Sequence, residues 1–359
     1  MERALTAAGK LFVAGEYAVL WGGVARVLAC GPRVGAHARP RDDGRVQLLL
    51  DQGARGGPAT PGGVGWTEAP GQAFHFAATA LDLALRALAR PRAGATVALA
   101  PSPLGPHGGK LGLGSSARTA VLTAEAIRCA LDVQFDALKL ALVAHADAQG
   151  GRGSGADVAA IFAGGLVGYR RYDVSALLKA ARGGDLGSAL AVSPPVDVWR
   201  AAKPKLPMAW IFTGQSASTP LLIGEVERTL GASGREVFVS RSDGLSIQLE
   251  DGLGRGDFAL VSEATRGLQA LLSELGPVVT EEIERILTLA NTFGCVGKVS
   301  GAGGGDGCIV FAPDVGARKE LLDAVRARGF FALELEPEAG LQGSPTSDPT
   351  LLSWITASS

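Results

Sequence analysis

No stretch of this chain approaches the roughly eighteen uncharged apolar residues that a membrane-spanning helix requires. The opening residues, MERALTAAGKLFVAGE, interleave acid and base without the apolar core of a secretory leader. Both absences predict a soluble, cytoplasmic protein with no membrane partner. Charge of one sign is missing too: 34 Lys plus Arg stand against 35 Asp plus Glu, so there is no global positive field for nucleic acid. Cysteine is scarce, and Cys30, Cys129, Cys295 and Cys308 form neither CxxC pairs nor metal-ligand spacings with the four histidines. They read as reduced, mostly buried thiols. Aromatic residues make up only 6%, whereas Gly, at 51 residues, has about twice its usual share. With 47% apolar residues in 359, disorder is excluded and two compact domains are expected, rich in loops shaped by the backbone.

Along the chain, GKLFVAGEYAVL (9–20) reads as a strand that bends near a site, and the pattern resumes over 24–38. In 71–90, Ala77, Leu81, Leu85 and Leu88 recur at helical spacing, with Pro91 closing the helix. A Pro/Gly-rich loop, PSPLGPHGGKLGLGSS (101–116), runs into a second helical pattern at Val121, Ala124, Ile127 and Leu131, which places Ser115 or Ser116 near the N-cap. Asp136 is the expected N-cap of a helix over 137–149, and GGRGSG (150–155) turns into another helix start. Four prolines in 192–207 mark the linker, giving domains 1–197 and 198–359. The second half reads as α+β: strands at AWIFTG, KVS, CIVF and FFALEL, with helices over 256–275, 281–293 and 316–328. The tail, EPEAGLQGSPTSDPT, reads as loosely ordered up to the apolar cluster LLSWI.

Three segments carry chemistry. Gly112-Leu113-Gly114-Ser115-Ser116 stands at the mouth of a helix, where curled backbone N–H groups and the positive end of the helix dipole cradle phosphate and nearby hydroxyls can ligate Mg²⁺. Read alone, such a loop is more often an ordinary N-cap. Gly153-Ser154-Gly155-Ala156-Asp157 sets a carboxylate at a second helix start, with Lys10 as its expected cationic partner. Ser300-Gly301-Ala302-Gly303-Gly304-Gly305-Asp306 has four glycines among six residues between strands, more freedom than a turn needs, which points to close approach of a ligand. No GxxxxGK[ST], no GxGxxG after a strand and no GxSxG occurs, which removes the P-loop, Rossmann and hydrolase readings. His145 reads as a packed helix histidine.

GKLFVAGEYAVL, GLGSSA and GAGGGDG, in that order, resemble the three ordered motifs of the galactokinase, homoserine kinase, mevalonate kinase and phosphomevalonate kinase (GHMP) superfamily. Within it, Glu16-Tyr17, Lys110, AHADAQGGRGSGADVAA (144–160), TGQSASTPLLIGEV (213–226) and Asp306 are similar to the phosphomevalonate kinase branch. The chain departs from that branch at Gly151, where Lys is usual, and at Arg118, where a small residue is commoner; mevalonate kinases instead carry a Glu where Ala146 stands, with Asp147 beside it. The resemblance implies a ribosomal-protein-S5-like first domain, a ferredoxin-like second domain, and transfer from ATP, with Mg²⁺, to phosphomevalonate, with mevalonate or another small acceptor as the alternative. A monomer and a homodimer are both compatible with it. It implies that Lys110, Gly112, Leu113, Gly114, Ser115 and Ser116 hold ATP, and that Ser116 and Asp157 hold the metal. The acceptor falls to Lys10, Glu16, Tyr17, Lys110, Arg152, Ser154, Gly155, Asp157, Ser218, Thr219, Gly301, Ala302, Gly303 and Asp306. Lys10, Ser116 and Asp157 are the expected catalytic residues. Because a phosphate acceptor is already mostly ionised near neutral pH (second pKa about 6), Asp157 is expected chiefly to orient Lys10 or Mg²⁺, with positive charge bringing two anions together.

Overall fold

The computed structural model describes residues 2–88, 94–105, 108–215, 219–343 and 348–357. Strand β1 (Arg3–Ala14) runs antiparallel to β2 (Val24–Arg41), with irregular register at Ala7/Gly9 and Phe12/Ala14. A 3₁₀ turn, Ala18–Trp21, separates them. The strand signal placed at 9–20 therefore begins earlier and stops at Ala14. Then follow β3 (Arg45–Leu50), β4 (Gly53–Thr60), β5 (Gly63–Val64), α1 (Gly71–Arg86) and β6 (Gly94–Leu99). The 71–90 helix ends four residues short of expectation, with Ala87 and Leu88 N–H groups bonding back to Leu83 and Leu85; Pro91 lies outside the described residues. Next come α2 (Ser115–Ala130), α3 (Ala137–Ala148), α4 (Ala156–Ala163), β7 (Leu166–Arg170), α5 (Ser175–Gly183), α6 (Leu186–Val192) and β8 (Val198–Arg200). Asp136 caps α3 as expected, its carboxylate accepting from Lys139 N at 3.0 Å.

The long β2 serves two partners: residues 24–28 pair with β7, and residues 36–41 with β6. Leu48, Leu81, Leu85, Leu122 and Ile127 fill a core between this sheet and α1, α2 and α3. The second unit is β9 (Met208–Phe212), α7 (Thr219–Arg255), α8 (Phe258–Ser273), α9 (Glu281–Thr292), β10 (Val296–Ser300), β11 (Gly307–Phe311), α10 (Val315–Ala327) and β12 (Phe331–Leu335). Its four strands stand in the order β10-β11-β9-β12, all antiparallel, which is the ferredoxin-like arrangement. A third cluster bridges the units: Leu11, Val13, Leu111 and Leu113 pack with Trp210, Phe212, Leu249 and Val261.

Helix α7 carries no strong sequence signal, being interrupted by Gly224, Gly231, Gly234, Gly244, Gly252 and Gly254, and its geometry breaks at Gly231 (φ 60°, ψ −174°). Packing explains Gly252: a Cβ there would lie 2.9 Å from a Val261 methyl of the next helix. Gly256, with φ 78°, then turns the chain, and Asp257 caps α8.

The tail is more ordered than expected. Glu338 N bonds Ala29 O at 2.8 Å, β13 (Gln342–Gly343) pairs with β1, and α11 (Pro349–Ala357) buries Leu351 and Ile355 against Leu49 and Ala98. Backbone pairing to the first sheet, invisible to composition, holds it. We propose the domain division just after residue 200, with β8, paired to β7, and this returning tail counted with the first sheet. Among the described residues no helix is long and apolar enough to cross a membrane.

Candidate active site

A cavity of about 650 Å³ opens where β1, the 101–116 loop, the starts of α2 and α4, and the β10–β11 loop meet. Strand alternation sends Leu11 and Val13 into the shared core and leaves Lys10 and Phe12 on the cavity face. The backbone N–H of Lys10 bonds Leu113 O at 3.0 Å, and its Nζ donates to Gly112 O at 3.3 Å. The side chain runs along Gly114, where a Cβ would come within 2.9 Å of Lys10 Cγ and Cε. Gly114 also holds φ 75°, so both its conformation and its neighbour demand glycine.

Gly114, not a serine, is the N-cap of α2; Ser115 and Ser116 are its first two residues. The cap makes no side-chain hydrogen bond and the first turn has no acidic residue, so the positive helix end faces the cavity uncompensated. Trp210 Nε1 donates to Leu111 O at 3.2 Å, fixing the loop to β9 of the other unit. Lys110, Leu113, Ser115 and Ser116 all line the cavity.

At the start of α4, Asp157 lines the cavity from the second helical position, following Gly155 at φ 80°. Ser154 also lines it, but its hydroxyl accepts from Ala156 N at 3.2 Å and its carbonyl from Tyr169 Oη at 2.9 Å, holding the turn. The expected partnership of Asp157 with Lys10 is corrected here. Lys10 extends along the glycine loop to Gly112 O, and Asp157 Oδ2 faces His145 Nε2 at 3.8 Å. His145, set aside in the sequence as packing, does stack near Phe76, at 5.4 Å, but also lines the cavity. Its Nε2 lies 3.2 Å from Ser116 Oγ and 3.4 Å from Gln149 Nε2. Burial pushes the imidazole pKa below its ordinary value, against the opposing pull of Asp157, so the ring is neutral near pH 7. Its position on α3 facing the Asp157 turn depends on how α3 packs against α4, which local spacing does not reveal.

Glu16 and Tyr17 bind the two units together. Glu16 forms an ion pair with the fully buried Lys298 of β10, at 2.5 Å, and Lys298 also donates to Val299 O. Tyr17, at a positive φ (61°, with ψ −46°), donates its hydroxyl to Ala302 O at 2.5 Å, and burial raises its pKa far above the usual value. Ser300 Oγ donates to Phe12 O at 2.7 Å. The third loop thus hangs from the first motif. Gly301, Ala302 and Asp306 line the cavity, and the Asp306 carbonyl accepts from Thr213 N at 2.8 Å. Gly303 and Gly155 lie outside the lining; a Cβ on Gly303 would meet Val278 O at 2.4 Å. Arg152 is exposed and does not line the cavity. Ser218 lies outside the described residues, and Thr219 begins α7 with its side chain likewise outside them.

Both units are similar to known proteins. Residues 106–165 match the GHMP kinases N terminal domain and residues 249–330 the GHMP kinases C terminal model. A phosphomevalonate kinase of a Streptomyces species is 30% identical over 368 residues, covering 92% of this chain and 96% of its own. In fold, the chain is similar to Streptococcus pneumoniae phosphomevalonate kinase in complex with phosphomevalonate and AMPPNP, with a TM-score of 0.76, 21% identity, and coverage of 93% and 99%. The Methanococcus jannaschii mevalonate kinase gives 0.69 at 18% identity, with coverage of 94% and 98%. With this similarity over nearly the whole chain and both family models matched, the protein belongs to the GHMP kinase family and is a phosphotransferase.

Proposed function

We propose that this enzyme transfers the γ-phosphoryl group of ATP to the phosphate of (R)-5-phosphomevalonate, giving 5-diphosphomevalonate and ADP in cytoplasmic isoprenoid synthesis. The observation that carries the reading is the convergence of Lys10, Lys110 and the uncapped start of α2 on one cavity, a density of positive charge suited to two anionic substrates. The full-length similarity to a phosphomevalonate kinase supports the acceptor.

In this reading Gly112, Leu113, Gly114, Ser115 and Ser116 receive the ATP phosphates on backbone N–H groups, with Lys110 beside them. Among the described residues no three His, Cys, Asp or Glu side chains gather as a metal cage. The hydroxyl of Ser116 and carboxylate of Asp157, both on the cavity wall, suit Mg²⁺, which takes one or two protein oxygens and completes its shell with phosphates and water. When bound, the ion would neutralise charge on the phosphate chain.

An acceptor phosphate oxygen attacks the γ-phosphorus, a bond to phosphorus forms, and the bond to the bridging oxygen of ADP breaks. The acceptor is already ionised near neutral pH, so little rate is gained from a base; Lys10 offsets the repulsion between the anions and Asp157 serves the metal side. Glu16 and Tyr17, which line the cavity, also act through the interface that hangs Ala302 and Asp306 over it.

Coupled ADP release with mevalonate and phosphomevalonate in parallel tests the reading. Turnover is expected with phosphomevalonate alone; turnover with mevalonate would overturn the acceptor, and none with either would overturn the activity.

A further inference from the structure

Arg118, three residues into α2 beyond Ser115, stands where a cation is least at home. The N-terminal turn of a helix is its positive end, and a charge buried without a counterion is costly. Yet Arg118 is only 2% exposed. Its Nη1 donates to Pro32 O at 3.0 Å and its Nη2 to Ser102 Oγ at 3.0 Å, both neutral acceptors. Nε is buried without a hydrogen-bond partner. Among the described residues no carboxylate pairs with it, and a guanidinium keeps its charge at neutral pH. Arg118, Pro32 and Ser102 all line the cavity, on the wall that runs on from Ser115 and Ser116. Neither hydrogen bond requires a full charge, since both acceptors are neutral. The missing counterion is therefore external, and the cavity is the open side.

We propose that Arg118 is an anchoring residue for the nucleotide: it fixes the 101–104 loop through Ser102 and supplies a permanent positive charge for the triphosphate chain. This rests on the ATP reading above. The charge makes a distinctive demand. It should favour a nucleoside triphosphate over the uncharged nucleoside, whereas a purely structural bridge would affect both alike.

The test is equilibrium binding of AMPPNP and of adenosine, the latter by competition, to wild type, Arg118→Gln, Arg118→Lys and Ser102→Ala. Arg118→Gln is expected to weaken AMPPNP about tenfold or more while shifting adenosine less than about twofold. Arg118→Lys, which keeps the charge but not the fork, should retain most of the preference for the triphosphate. Ser102→Ala, which removes the same tie to the 101–104 loop but not the charge, should weaken both ligands to a similar degree, by less than about twofold. Equal losses for AMPPNP and adenosine in Arg118→Gln, or loss of the preference in Arg118→Lys, would overturn the proposal; the lysine variant decides the matter if the glutamine variant fails to fold. Failure of wild type to bind AMPPNP would instead strike the ATP reading itself, and this inference with it.

Discussion

Replacing Lys298 by Met should unfold the enzyme far more readily than its distance from the chemistry suggests. Lys298 is 0% exposed and its partner Glu16 has a side chain only 2% exposed, so water cannot take over the role of either. Methionine fills the volume of the lysine stem but leaves a buried carboxylate without its cation. Breaking a buried pair from one side typically costs about 3–5 kcal/mol, against a usual total of about 5–15 kcal/mol. Because the pair joins the second residue after β1 to β10, the damage should appear at the interface, where Tyr17 holds Ala302 and Ser300 holds Phe12. The assay is urea unfolding of wild type, Lys298→Met, Glu16→Gln and the double variant, followed by circular dichroism and by tryptophan fluorescence so that separate loss of one unit is visible. The double variant should lose at least about 1 kcal/mol less than the sum of the singles, since contacting residues couple. A Lys298→Met protein within about 1 kcal/mol of wild type, or strictly additive losses, would refute the reasoning.

Other outcomes follow from the same geometry. Lys10→Met removes a charged donor at the phosphate loop and should lower kcat/KM by roughly 10- to 100-fold; steady-state kinetics would show it. Asp157→Asn should leave the limbs of the wild-type pH–rate profile in place, as expected of a residue that is not the base; loss of an acidic limb together with a far larger drop in kcat than for Lys10→Met would restore that role. Gly114→Ala forces a Cβ onto the Lys10 stem in a left-handed backbone conformation, and is expected to destabilise by about 1–2 kcal/mol and weaken AMPPNP binding measured by calorimetry. Leu351→Ala, within α11, should cost about 2–5 kcal/mol in denaturant unfolding despite lying eight residues from the chain end. Burial lowers the His37 pKa below the ordinary imidazole value, against the opposing pull of Glu2, whose carboxylate lies 3.0 Å from Nε2. The unfolded chain therefore takes up its proton first as pH falls below about 6.5, so stability should decline from there downward, and His37→Gln should remove part of that slope.

The loops were legible in the sequence because glycines with special backbone demands leave a compositional mark: GLGSS and GAGGGDG name themselves. Helix caps such as Asp136 were legible for the same local reason. Partnerships were not. Nothing near Glu16 in sequence announces Lys298, 282 residues on, and nothing near Asp157 announces that α3 will turn His145 toward it. The glycine-broken α7 and the returning tail escaped because their order comes from tertiary contact: Leu222 against Gly304, Glu338 against Ala29. This division bears on the chemistry. Under the proposed function two anions must be held together, and the loops assigned to phosphate are backbone features and so are written locally. The contacts proposed to set the acceptor's position, Tyr17 on Ala302 and Ser300 on Phe12, run between the two units. Acceptor choice should therefore respond to substitutions at this interface more than to changes within the glycine loops. A Tyr17→Phe enzyme, which loses one hydrogen bond to the third loop, should show an acceptor KM raised about 2- to 10-fold with the ATP KM nearly unchanged. An equal rise in both constants would mean that the interface serves the nucleotide as much as the acceptor.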